Sequence, residues 1–351
     1  MANYYIGAND EHGQNPPTAG KRTPVMPYLN VPFYENQFNR PAKNKFIEGC
    51  LRNGLRVFDV KPEITDTSIS ERVRRINRQG LTLLVTFAYN AFGAGQTFNN
   101  VAGVSTFYDP TNGNATQSRI LSEEVYTQLL EGTTQRGVGV GTLQNVGVLR
   151  SVNCLSTLVE AGFMTNFEEA KLMLDPDFQT EVAEETLLGV CNYLGIGYVP
   201  RNNLANYQLL RLGTRGNFVM LLQFLLWQNG YDIDIDGIFG NQTSRYVVDF
   251  QQRNGLVADG IVGNNTWRTL LALPPRPTLR QGSRGVYVAY LQQKLTSKLY
   301  PVGEIDGIFG SATKNAVMEF QRETGIGVDG IVGAVTWQNV EKIGGGRPLP
   351  R

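Results

Sequence analysis

The 351-residue chain has a single histidine, His12, and only three cysteines. Cys50, Cys154 and Cys191 are odd in number, widely spaced and without a Cys-x-x-Cys pair. That argues against a disulfide framework or a zinc–cysteine site and predicts buried free thiols. An excess of charge of one sign is also missing. Lys plus Arg number 32 against 31 Asp plus Glu, a net charge of +1, so nothing pulls the chain generally toward nucleic acid or an anionic membrane. No apolar run reaches the roughly 18 residues that a membrane-spanning helix needs. The opening Met1-Ala2-Asn3-Tyr4-Tyr5 lacks the basic and then apolar segments of a secretory signal. The expectation is a chain made in the cytoplasm that acts elsewhere only after release.

What is present is ordinary globular material, 41% apolar and 18% charged, long enough for two or three domains. The clearest feature is an internal repeat. Leu212-Gly213-Thr214-Arg215-Gly216 returns as Gln281-Gly282-Ser283-Arg284-Gly285. Asp236-Gly237-Ile238-Phe239-Gly240 returns at Asp306–Gly310, Asp259-Gly260-Ile261-Val262-Gly263 at Asp329–Gly333, and Thr266-Trp267 at Thr336-Trp337. Each copy, 207–273 and 278–343, reads as three short helices. Val219, Leu222 and Leu226, matched by Val288, Leu291 and Leu295, make one helix face. Asn241 and Ser311 are candidate N-caps of the second helix. The Asp-Gly pairs are turns, because glycine accepts a positive φ. Trp267 and Trp337 read as packing residues of the third helix. Pro274-Pro275-Arg276-Pro277 reads as a stiff linker, and Gly344-Gly345-Gly346-Arg347-Pro348 as a disordered tail.

Residues 1–200 alternate strand-like and helical stretches. Strands are expected at Tyr4–Ala8, Leu55–Val60, Leu81–Phe87, Val104–Tyr108 and Ser156–Val159. Helices are expected at about Lys43–Asn53, Ser70–Arg78, Ser118–Gly132 and Val182–Leu194. Leu81-Thr82-Leu83-Leu84-Val85 suits a strand buried on both faces. The class is α/β, a sheet with flanking helices followed by two small three-helix domains.

His12 stands in Asn9-Asp10-Glu11-His12-Gly13, after the first strand. Taken alone it is a solvated turn residue, and a lone Glu35 or Glu160 is an exposed or capping carboxylate. The joint pattern says more. Glu11-His12-Gly13, Glu35 in Tyr34-Glu35-Asn36-Gln37-Phe38-Asn39, and Val159-Glu160-Ala161-Gly162-Phe163-Met164-Thr165-Asn166 occur in that order, with Gln135-Arg136-Gly137-Val138 and Val148-Leu149-Arg150 between. In this the first 200 residues resemble the zinc-dependent N-acetylmuramoyl-L-alanine amidases of the type 3 family. The tandem repeat resembles the three-helix peptidoglycan-binding modules.

The resemblance implies His12 and Glu35 as zinc ligands and Glu160 as the catalytic proton shuttle. It implies zinc-activated water cleaving the bond between N-acetylmuramic acid and L-alanine, with peptidoglycan as partner and the repeats as anchor. It implies no nucleic-acid, membrane or obligate protein partner. One position departs from the family pattern. Where a third ligand, a histidine in Ser-x-His-x-Asn-Ala, is expected, the chain reads Thr86-Phe87-Ala88-Tyr89-Asn90-Ala91. Ala88 cannot ligate, no second histidine exists, and Asn90 is a poor zinc ligand, so the resemblance implies an impaired enzyme. A natural pseudoenzyme and a His→Ala replacement in an active enzyme both account for it. A non-catalytic wall-binding protein or a phage structural component is the alternative class.

Overall fold

The structure, a computed structural model, describes residues 4–13, 21–132, 137–143 and 146–350. It falls into two compact units, one formed by the chain up to Tyr198 with the last three residues, the other by Val199–Pro348.

The first unit is built on six strands: β1 (Tyr5–Asp10), β2 (Arg56–Asp59), β3 (Leu83–Asn90), β4 (Val104–Tyr108), β5 (Gly137–Thr142) and β6 (Leu155–Phe163). Their order is β2-β1-β3-β6-β4-β5. The β2, β1, β3 and β6 strands run parallel, whereas β4 joins β6 antiparallel and carries β5 with it. The apolar run read as a doubly buried strand is β3, at the sheet centre and buried from Leu83 through Tyr89. β5 was not anticipated. Glycine at every second position, Gly137, Gly139 and Gly141, hides its period.

Among the described residues, six helices surround the sheet: α1 (Asn36–Arg52), α2 (Ile69–Asn77), α3 (Ala115–Gly132), α4 (Gly147–Arg150), α5 (Phe167–Leu172) and α6 (Pro176–Leu194). Phe87 of β3 meets Phe46 of α1, with ring centroids 5.6 Å apart, so the odd-numbered side chains of β3 face α1. Leu84, on the other face, clusters with Ile76 of α2 and Val148 of α4. Local chemistry sets the ends. Asp175 caps α6 by accepting from the Asp177 and Phe178 amides, Pro176 takes its first position, and Gly195 closes it at φ +64°. The first helix begins seven residues before the expected Lys43. Pro41 looks like a breaker, yet it removes one hydrogen bond in a helix whose Phe38, Ala42 and Phe46 are all buried. All three cysteines are buried and free.

The carboxyl ends of β1 and β2 are fixed by a buried ion cluster. Asp10 Oδ1 lies 2.8 Å from Lys43 Nζ, and its Oδ2 accepts from Lys61 Nζ at 3.0 Å. Lys43 also donates to Asp59 Oδ1 and to the Lys61 carbonyl, each at 2.8 Å. The Asp10, Lys43 and Lys61 side chains have no solvent exposure. Arg72 donates to the Asp10 carbonyl and pairs with Glu11 at 3.2 Å.

The second unit holds the repeats. The first comprises α7 (Asn217–Gln228), α8 (Asn241–Arg253) and α9 (Asn264–Leu270), the second α10 (Val286–Ser297), α11 (Ser311–Glu323) and α12 (Ala334–Val340). The cap positions of α8 and α11 are Gly240 and Gly310, not Asn241 and Ser311, which are the first helical residues. Trp267 and Trp337 are buried, and their indole N–H groups donate to the Gln208 and Pro277 carbonyls at 2.9 Å.

A four-times repeated polar knot holds the turns. Gln251 Nε2 donates to Asp259 Oδ1 and the Ile261 carbonyl while its Oε1 accepts from the Gly260 amide. Gln223 with Asp236, Gln292 with Asp306 and Gln321 with Asp329 repeat the arrangement. Each buried glutamine amide thereby both donates and accepts at its Asp-Gly turn.

Two segments behave differently from expectation. Arg276 of the proline-rich linker packs over the Tyr290 ring at 3.8 Å and pairs with Glu341, so the segment is part of the second repeat's surface. The tail is docked rather than disordered. Arg347 lies 4.5 Å over the Tyr300 ring and pairs with Glu319 at 2.9 Å and Glu323 at 2.8 Å. These contacts outweigh the freedom of the three glycines before it.

Two tests follow from these contacts. Asp10→Asn leaves two buried ammonium groups short of a carboxylate and should destabilise the first unit by about 3–5 kcal/mol; a thermal midpoint within about 2 °C of the parent would refute that role. Arg347→Ala should cost the second unit about 1 kcal/mol at pH 7. The hydrogen bond from Arg347 holds the Glu323 carboxyl below its ordinary range. A depressed carboxylate stabilises above its unfolded pKa and loses that effect as pH falls through its folded pKa, so the Arg347→Ala deficit should shrink as pH drops below the ordinary glutamate range in denaturant titrations.

Candidate active site

His12 follows the carboxyl end of β1, Glu35 precedes α1 and reaches the Tyr89 amide of β3, and Glu160 lies in β6; open α/β sheets gather their sites at strand carboxyl ends. His12 follows β1 in a left-handed conformation, φ +58°. A non-glycine residue is held there only by its surroundings, and the ion cluster and the Arg72–Glu11 pair flank it directly. Its Nε2 lies 3.6 Å from Glu35 Oε2, near but longer than a hydrogen bond. Glu35 occupies the position preceding α1 and is buried. Its Oε1 accepts from Asn39 Nδ2 at 2.9 Å and from the Tyr89 amide at 3.1 Å. Asn39 Nδ2 also donates to the Glu11 carbonyl at 3.0 Å. One carboxylate thus ties the start of α1 to the end of β3 and to the His12 turn.

Glu160 is in β6, directly across the ladder from Ala88 of β3. Cross-strand partners share a face, and Ala88 packs there with Leu149 of α4 and Leu158 of β6. Tyr89 points to the opposite face, as the strand period predicts. Its ring meets Phe38 at 4.7 Å, and its hydroxyl donates to the Glu169 carbonyl at 2.7 Å. The residue Glu160 is half-buried as a whole, but its Oε2 is enclosed. Glu35 Oε2 and Glu160 Oε2 have no hydrogen-bond partner among the described residues.

Burial governs the electrostatics. It lowers the His12 pKa to about 4, with the Lys21 charge as the next cause. Burial raises Glu35 to about 7 against the opposing hydrogen bond from Asn39. It pushes Glu160 well above the ordinary carboxylate range, helped by the charge of Glu35. His12 is therefore neutral at pH 7, as a ligand must be, and two carboxyls resist ionising together. Lys21 supplies a positive field felt by all three groups. Sequence reading missed it, and the only hint was its place in Gly20-Lys21-Arg22 shortly after His12.

A hydrolytic zinc site takes three protein ligands and leaves one position open. His12 and Glu35 come together and could provide two, and the enclosed, unpartnered Glu35 Oε2 suits a cation. The third position fails the test. Ala88 offers a methyl group in an apolar cluster, and among the described residues no three His, Cys, Asp or Glu side chains lie close enough to hold a metal. The ligand set does not fit. Of the other motif residues, Val148-Leu149-Arg150 is α4, whose Leu149 contacts Ala88, and Gly137 and Val138 open β5. Gln135 and Arg136 lie outside the described residues.

Comparison with known proteins agrees with this architecture. Residues 13–192, over half of the chain, match the family model described as N-acetylmuramoyl-L-alanine amidase. Residues 215–270 and 284–339 match the model described as "Putative peptidoglycan binding domain". The chain is 36% identical over 126 residues to the N-acetylmuramoyl-L-alanine amidase CwlM of Mycobacterium tuberculosis, covering 32% of this chain and 30% of that protein. It is 29% identical over 157 residues to the N-acetylmuramoyl-L-alanine amidase CwlL of Bacillus licheniformis, covering 36% and 44%. The matches thus span less than half the length of these relatives. Among solved structures, an N-acetylmuramoyl-L-alanine amidase from Clostridium difficile aligns at 23% identity and a TM-score of 0.48, covering 56% of this chain and 98% of that one. Through its first unit, with His12, Glu35 and Glu160 gathered at one end of the sheet, the chain belongs to the N-acetylmuramoyl-L-alanine amidase family.

Proposed function

We propose that this chain binds bacterial peptidoglycan through its two C-terminal repeats, and that its amidase domain carries the hydrolytic site of the family one ligand short. The observation that carries this reading is Ala88, on the same sheet face as Glu160 and packed on Leu149 and Leu158. The substrate bond is the amide between N-acetylmuramic acid and the L-alanine of the stem peptide. In this reading His12 and Glu35 are what remains of a zinc site. Glu160, whose carboxyl burial pushes upward, is the group placed to hand a proton to a leaving amine, but it has no activated nucleophile to work with. Unassisted water is a far weaker acid than the metal-bound water of a complete site, about 16 against about 7 in pKa. Turnover by this chain is therefore expected to be slow or nil, and wall binding to persist. Two weakly binding repeats on one polymer gain by effective concentration. The chain would meet its substrate after release from the cell that makes it.

Ala88→His tests the reading. The parent should contain well under one zinc per chain and clear a suspension of purified walls at least about 100-fold more slowly than the variant. The variant should hold about one zinc, and both proteins should sediment with peptidoglycan alike. Equal lysis by parent and variant would refute the missing-ligand reading. A variant that gains neither zinc nor lysis would refute the amidase-type site itself.

A further inference from the structure

We propose that the cleft between the two repeats is a subsite for a short acidic peptide with small apolar side chains, the chemistry of a peptidoglycan stem; this rests on the wall-binding reading above. The cleft measures about 430 Å³, inside the usual range for a small-ligand pocket. Its apolar wall is Phe250 of α8 with Val286, Ala289 and Ile308 of the second repeat. Methyl groups suit that wall. Its cations come from both repeats: Arg253 ends α8, and Arg284 precedes α10. Arg253 is oriented by Asp249 at 2.7 Å and lies 5.5 Å over the Tyr231 ring. Arg284 is exposed, and its charge bears on Asp306 across the cleft. Asp306 also borders the cleft, but its carboxylate is engaged by Gln292 at 3.1 Å and the Ile308 amide at 2.8 Å. Two guanidinium groups from different repeats suit two carboxylates on one short chain.

The cleft is built rather than incidental. Asn254 Oδ1 accepts from the Val286 amide across the repeat boundary at 3.0 Å. Gly285, φ +108°, leaves room for it, because a Cβ there would stand 2.4 Å from that same oxygen. The matching face of the second repeat is closed by the chain itself. Lys298 and Tyr300, the counterparts of Asn229 and Tyr231, are covered by the Gly344–Arg347 tail: Lys298 Nζ donates to the Gly344 carbonyl, and Arg347 stacks on Tyr300. One of two equivalent faces is therefore plugged, and the other opens on the junction.

The full chain should be titrated with the tetrapeptide L-Ala-γ-D-Glu-L-Lys-D-Ala by NMR, and sedimented with purified peptidoglycan. Arg284→Glu and Ala289→Trp should each weaken the peptide Kd by about tenfold or more. Arg215→Glu, the equivalent exposed position of the first repeat outside the cleft, should change it less than about twofold. Thermal midpoints of all three should stay near the parent's; if Ala289→Trp fails to fold, Arg284→Glu decides. Peptide affinity unchanged in the cleft variants, or no peptide binding by a parent that still sediments with peptidoglycan, overturns the subsite and leaves the wall-binding reading intact. A parent that neither sediments nor binds peptide overturns both.

Discussion

The ion cluster around Asp10 is the constraint on which the amidase unit depends. Two ammonium groups with no access to water are tolerable only because carboxylates meet them directly, and the desolvation involved is several kcal/mol per charge. Lys43 comes from α1, Lys61 from just beyond β2, and Asp10 from the last residue of β1. Neutralising them together locks helix, strand ends and the His12 turn into one geometry. The left-handed His12 is sustainable because that frame over-determines it. Glu35 extends the same logic toward β3 through Asn39 and the Tyr89 amide.

The frame brings His12 and Glu35 together, and position 88 on the neighbouring face is alanine. Glu35 is buried and His12 and Glu160 are half-buried, and in each the surroundings disfavour the charged form, the arrangement expected of groups that share a cation or a proton. Alanine at position 88 places a methyl, not a ligating atom, in the apolar cluster of Leu149 and Leu158. The repeats are stabilised by different means. Their helices are short, and four Gln–Asp-Gly knots satisfy the turns between them.

Much was legible in the residues. The tandem repeat announced two copies of one module, and Leu81–Phe87 announced a strand buried on both faces. The order of the motifs around His12, Glu35 and Glu160 announced the family. Less legible was β5, whose glycines erase the alternation that marks a strand. The start of α1 was obscured by Pro41, a local breaker overruled by the burial of Phe38, Ala42 and Phe46. The tail was misread because three glycines suggest freedom and say nothing of where Arg347 finds Tyr300, Glu319 and Glu323.

The sequence by itself determined the α/β class, the repeat architecture and the supply of ligating side chains, because composition, period and motif spacing are properties of the chain alone. One histidine in 351 residues limits any metal site in whatever fold the chain adopts. Only the tertiary structure decided that Ala88 faces Glu160, that His12 comes within 3.6 Å of Glu35, that Lys21 bears on all three site residues, and that the repeats enclose a cleft lined from both sides. Those are outcomes of register and packing between segments far apart in sequence. A shift of β3 by one residue against β6 would turn Ala88 to the other face while leaving every local motif unchanged.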